Sequence, residues 1–271
     1  MRNRWLIGWM SMILVSQALA QATNPTPQQR FLEKVAPSIV AVEVVVRYEI
    51  HAGDDSSSGE QKQTLTGTVL TEDGVILVPS IPFSSEWLKQ LFGEREGVQM
   101  NLSPQSFKVT FAGDSKQYEA ELLATDSQLG LGFIKLKERA ERALLPVRFR
   151  DTLPSVGDEL WSLRRKGKSF DYAPYYERVL LTGTITKPRR AFITATTANF
   201  GLEPGTLLFT PEGEAVGVLI PIVDPSPQED ESGSMFGGRT SSLFGTYLLS
   251  YADLKPILEK ALTRKSEGGA Q

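Results

Sequence analysis

One imidazole and no thiol limit the chemistry open to this chain. His51 is the single histidine among 271 residues, and cysteine is absent. A histidine general base therefore has one candidate, and thiolate nucleophiles or thiolate metal sites have none. His51 opens the stretch His51-Ala52-Gly53-Asp54-Asp55-Ser56-Ser57-Ser58, which places imidazole, carboxylate and hydroxyl close together. Those are the groups of acyl transfer by an activated serine. Their spacing argues against it, because such groups must be held rigidly from separate elements, and residues 51–63 read as a low-complexity polar loop. Thr206 beside Gly205, and Ser80 with Lys135 or Lys108, supply further hydroxyls, but no spacing ties a base to them. For a metal only carboxylates remain, and Asp224 to Glu231 is too proline-rich for a calcium loop. No cofactor and no metal is expected.

The elements that would position such groups follow a leader. Met1-Arg2-Asn3-Arg4 is basic, Trp5 to Val15 is apolar, and Ser16-Gln17-Ala18-Leu19-Ala20 ends in an Ala-x-Ala site. The pattern predicts a signal peptide over 1–20 and export to a periplasmic or extracellular space. The apolar run is shorter than the ~20 residues of a spanning helix, so no integral span is expected after cleavage. Lys and Arg number 29 against 32 Asp and Glu, a formal net charge of -3. That balance excludes the broad basic surface of a nucleic-acid partner.

Residues 21–34 form a polar, proline-punctuated leader, with a short helix over Phe31 to Val35. The β-branched run Ser38 to Tyr48 predicts a strand. Thr66 to Leu70 and Val75 to Val78 flank Asp73-Gly74, a hairpin signal. Ser84 to Phe92 reads as helical turns, and strands resume at 107–111, 117–123 and 132–136. A charged link over 139–155 precedes a second series at 159–163, 178–185, 191–196, 206–209, 215–220 and 246–249. A helix over 251–264 and a frayed tail over 265–271 close the chain. Short strands at regular spacing predict two β lobes, 35–138 and 156–250.

Several stretches, in order, resemble the protease domain of HtrA-type (Deg) trypsin-like serine proteases. Val35-Ala36-Pro37-Ser38-Ile39-Val40 resembles the family's opening V-x-P-S-V-V strand, and Thr66 to Leu77 its glycine-rich hairpin ending in D-G-Y-I-L. Val109-Thr110-Phe111-Ala112-Gly113 and Tyr118-Glu119-Ala120-Glu121-Leu122 resemble the next strand pair. Pro154-Ser155-Val156-Gly157-Asp158 is similar to the L-x-V-G-D turn. Pro204 to Phe209 with Glu212 to Val218 resembles the family's closing S-G-G-P-L-V and x-G-E-V-I-G-I pair. The resemblance runs from Phe31 to Leu262. It implies an all-β fold, a two-lobed antiparallel β-barrel of trypsin/chymotrypsin type with a C-terminal helix.

It also implies where a catalytic trio belongs. Ile81 stands at the histidine position, Gly130 at the aspartate and Pro204 at the serine. Proline has no N–H, so one donor of the family's oxyanion hole is lost as well. The expectation is an exported pseudoprotease that binds a protein or extended peptide, along the former cleft or through apolar groups. Trp87 and Phe92, Tyr172 and Tyr175, and Met235, Phe236 and Phe244 are the binding candidates. After the closing helix no counterpart of the family's PDZ domain is expected. The resemblance implies homo-oligomers, trimers formed through the N-terminal segment. An active hydrolase with a rearranged site and a structural subunit of an envelope complex are the alternatives.

Overall fold

The structure is a computed structural model and describes residues 24–53, 55–92, 98–114, 116–196, 203–223 and 244–268. The expected signal peptide, Met235 and Phe236 lie outside those residues.

Alternating valines start the fold. In β1 (Ile39–Ala52), Val40, Val42, Val44 and Val46 point inward and are buried, as a strand with one face on a core requires. β2 (Asp55–Val69) returns beside it, and β3 (Val75–Pro79) follows the Asp73-Gly74 turn. Gly74 has φ +88, and a Cβ there would lie 2.8 Å from Leu136 Cγ, so glycine is required on both counts. β4 (Val98–Thr110), β5 (Gln117–Asp126) and β6 (Leu131–Leu136) complete a closed antiparallel barrel ordered β1-β2-β3-β6-β5-β4. β7 (Glu159–Arg165), β8 (Pro174–Ile185), β9 (Ala191–Thr196), β10 (Leu207–Phe209), β11 (Ala215–Val223) and β12 (Phe244–Ser250) form a second barrel, ordered β7-β8-β9-β12-β11-β10. Two six-stranded antiparallel barrels with a C-terminal helix are consistent with a chymotrypsin-like double-barrel fold.

A third apolar cluster joins the barrels. Leu77, Leu131 and Phe133 of the first meet Trp161, Leu163, Leu207 and Phe209 of the second. Helix α1 (Pro27–Val35) inserts Phe31 into it, edge-on to Trp161 at 5.0 Å between centroids. Thr26 caps α1 and Gln29 returns the bond, a capping box that starts the helix earlier than the apolar pattern predicts. Helix α3 (Tyr251–Gly268) adds Leu254, Leu258 and Ala261. It runs past 265, where the sequence pattern predicts a frayed tail.

Arg165 clasps the joint. Its guanidinium donates to the carbonyls of Ala36 (2.7 Å), Ile39 (2.6 Å) and Tyr172 (2.8 Å). Burial holds its pKa down at about 10, and the charge of Arg142 adds to the effect.

The largest departure from expectation is residues 51–63. Residues 51–52 and 55–63 are strand, not loop: β1 and β2 pair without a break from Ile39↔Thr68 to Ala52↔Asp55. Residues 98–106, irregular by composition, extend β4 along the other side of β1. Together they make a three-stranded arm projecting from the first barrel. Backbone pairing needs no apolar side chain, which is why composition hid it.

Candidate functional site

The three positions implied for a catalytic trio come from different elements, and the fold brings them to one end of the joint between barrels. Ile81 follows β3 in a single 3-10 turn, Ile81–Phe83. Gly130 precedes β6, and its carbonyl accepts the Ser80 N–H at 2.9 Å. Its φ is +65, and a Cβ there would lie 3.0 Å from Ile81 Cγ1 and 3.2 Å from Trp87 Nε1. An isoleucine and an indole therefore fill the space where a carboxylate would face an imidazole.

Pro204 lies in the lead-in to β10. Glu203-Pro204-Gly205-Thr206 is a Pro-Gly turn in which the Thr206 N–H donates to the Glu203 carbonyl at 3.3 Å. Gly205 has φ +86, the left-handed value that a turn with proline before it needs. A Cβ on Gly205 would lie 2.9 Å from Pro79 Cα, so the second barrel's turn touches the end of β3 with no space for a methyl group. The Gly205 N–H donates to the Leu219 carbonyl at 2.7 Å. Along 204–206 one N–H is absent and the other two are spent inside the protein. None of the three is free to meet a developing oxyanion.

The other hydroxyls and bases are apart. His51 is exposed near the tip of the arm, with Ser56 and Gln99 as cross-strand neighbours. About 40 Å of strand separates it from the base of β1 at Ile39. Ser80 is fully buried and its Oγ has no hydrogen-bond partner. Lys135 is placed opposite Val75, four residues along β3 from Pro79, and pairs with Asp73 at 2.7 Å. Lys108 lies between Glu43 and Glu119 on β4. Neither lysine reaches Ser80.

Of the apolar binding candidates, Trp87 is corrected. Its residue is only 1% exposed, because α2 (Ser85–Phe92) turns the indole inward beneath Gly130. Phe92 ends α2 and Phe244 opens β12 opposite Val223, with side chains outside the described set. Tyr172 is half-buried at φ +52, its carbonyl committed to Arg165. Tyr175 is half-buried between two cations, Lys166 Nζ at 4.3 Å and Arg164 Cζ at 5.7 Å from its ring. Burial raises its pKa above the usual phenol value.

Two features carried no motif. Arg164, with its side chain 11% exposed, faces the interior of the second barrel, pairs with Glu203 and approaches Glu177 Oε1 at 4.0 Å. Its Nε, Glu177 Oε2 and the Ser162 Oγ beside them are buried without partners. The second feature is Pro221 in β11. The Leu219 N–H and carbonyl both point toward the β10 side, so by strand alternation residue 221 does too. On that side, beyond Leu219, no strand pairs with β11 among the described residues. This stretch of edge thus offers proline where an extended peptide would need a donor. A proline inside Leu219-Ile220-Pro221-Ile222-Val223 was the available signal, since strand prolines mark edges.

No family model matches this chain, and no curated protein does. Among the described residues there is no cluster of carboxylates and histidine that could hold a metal, and no helix is long and apolar enough to cross a membrane.

Proposed function

We propose that this chain is a noncatalytic, exported relative of trypsin-like proteases, resembling HtrA-type domains, whose double barrel serves as a scaffold for binding protein. One observation carries the reading: along Pro204-Gly205-Thr206 no backbone N–H is available to a transition state, one being chemically absent and two bonded internally. The vacant imidazole and carboxylate positions, Ile81 and Gly130, support it, since an unassisted hydroxyl is a weak nucleophile. Pro221 favours binding away from this edge of β11, because strand addition there lacks its donor.

Fluorophosphonate labelling of the purified protein alongside casein turnover tests the proposal. Neither labelling nor turnover is expected, and one serine labelled specifically would sink it. A triple variant, Ile81→His with Gly130→Asp and Pro204→Ser, is expected to stay inactive. Position 130 keeps a left-handed backbone, and a Cβ there would still lie 3.2 Å from Trp87 Nε1.

A further inference from the structure

Several stretches of strand edge are unpaired among the described residues; three of them contrast, and two of those are blocked. The edge of β11 beyond Leu219 is blocked by Pro221. The outer edge of β4 is stoppered by Ser85, whose Oγ accepts the Leu102 N–H at 2.7 Å and donates to the Leu102 carbonyl at 3.3 Å. The third is the edge of β2. β3 pairs with β2 only at Thr68 and Val69, so from Asp55 to Gly67 the side away from β1 is open.

The polarity of that edge comes from alternation. The Leu70 N–H bonds to Val75 across β3, so even-numbered residues of β2 direct their amides away from β1. Ser56, Ser58, Glu60, Lys62, Thr64 and Thr66 therefore present their N–H and carbonyl groups outward. Unpaired edges of this length are templates for another strand.

We infer that the occupant is the same strand of a second copy, paired antiparallel about a two-fold axis at Gln61. Three observations converge on that register. Gln61 is the midpoint of the open edge, so the pairing fills it from Asp55 to Gly67 and stops where β3 begins. Outward-facing residues meet only outward-facing residues, giving about a dozen main-chain hydrogen bonds. The side chains also match on the outer face: Glu60 meets the partner's Lys62, Ser58 the partner's Thr64, and Ser56 the partner's Thr66. Acid faces base twice and hydroxyl faces hydroxyl, the favourable cross-strand pairs. Lys62, already 2.8 Å from Glu43, comes to lie between two carboxylates. The contact is isologous and closes on itself, joining two arms into one six-stranded sheet with a double barrel at each end.

Sedimentation velocity of the purified protein over a concentration series reads the result. The parent chain is expected to be dimeric. Lys62→Glu and Glu60→Lys each place like charges opposite and should weaken the dimer about tenfold or more. The double swap, Glu60→Lys with Lys62→Glu, restores complementarity and the dimer. Ser58→Pro removes an outward N–H without touching the β1 ladder and should abolish it, with the thermal melt of the monomer unchanged. In hydrogen exchange, amides of even-numbered residues from 56 to 66 should gain protection with concentration. A chain that stays monomeric overturns the inference, even if another protein binds the same edge. So does a dimer indifferent to both single charge variants and to Ser58→Pro.

Discussion

Barrel 1 and barrel 2 repeat one strand order, β1-β2-β3-β6-β5-β4 and β7-β8-β9-β12-β11-β10, with very different strand lengths. β1, β2 and β4 run for 14, 15 and 13 residues, whereas β7 and β10, the counterparts of β1 and β4, have 7 and 3. Barrel 1 closes along β1 from Ala41 to Ala52 against β4, and its inner residues at Val40, Val42, Val44, Val46, Ile76 and Phe107 are apolar. Barrel 2 closes through Leu208↔Ser162 and Phe209↔Trp161, and its interior admits Ser162, Arg164 and Glu177. This topology tolerates a thin seam if a neighbouring core supports it. Trp161 and Phe209, the seam residues facing the joint, belong to the cluster that barrel 1 and α1 also build.

That dependence can be broken from either side. The largest effect is expected from Trp161→Ala, which empties the joint at the seam and should cost about 3–5 kcal/mol in urea unfolding. If the barrels are coupled through the joint, one cooperative transition shifts to lower urea; two separated transitions would show that barrel 2 stands alone. Next comes Arg165→Met. It removes three hydrogen bonds to the Ala36, Ile39 and Tyr172 carbonyls, of which Ala36 keeps the Ile39 N–H, and should cost about 3 kcal/mol, with lost protection at the Ala36 and Ile39 segment in hydrogen exchange.

A smaller contrast lies between two left-handed glycines of barrel 1. Gly113→Ala has open space around its Cβ and should cost only about 1 kcal/mol of backbone strain. Gly130→Ala carries the same strain and must also displace Ile81 or Trp87, so its melting temperature should fall further. Equal shifts would mean the vacant position is looser than its contacts indicate. Smallest is Ser162→Ala in barrel 2. Deleting a buried hydroxyl without a partner should be neutral or stabilising by up to about 1 kcal/mol in thermal unfolding.

The barrel walls were readable because burial leaves a mark: alternating valines in β1, the Asp-Gly turn before β3 and the apolar runs of β6 and β11 all fell where expected. The arm was not, since its outer half is built from serine, glycine, glutamine and glutamate. Gly59 shows the difference. It breaks a strand pattern by composition, yet in the structure the Tyr48 side chain lies over it, its hydroxyl 2.6 Å from where a Cβ would stand, and supplies the missing cover. Trp87 misled for the opposite reason. An aromatic on a short helix outside the barrel reads as exposed, and only the glycine at position 130, 43 residues further along, makes room for it.

By itself the chain determined which residue types stand at Ile81, Gly130 and Pro204, and it determined which strand faces are apolar, because chemistry and period-2 burial are local properties. Tertiary structure alone decided that Pro79 closes against Gly205, that two N–H groups near Pro204 are spent, and that one edge of the arm is stoppered while the other is open. Those facts depend on which groups meet across long chain separations, and backbone hydrogen bonding leaves no trace in side-chain pattern.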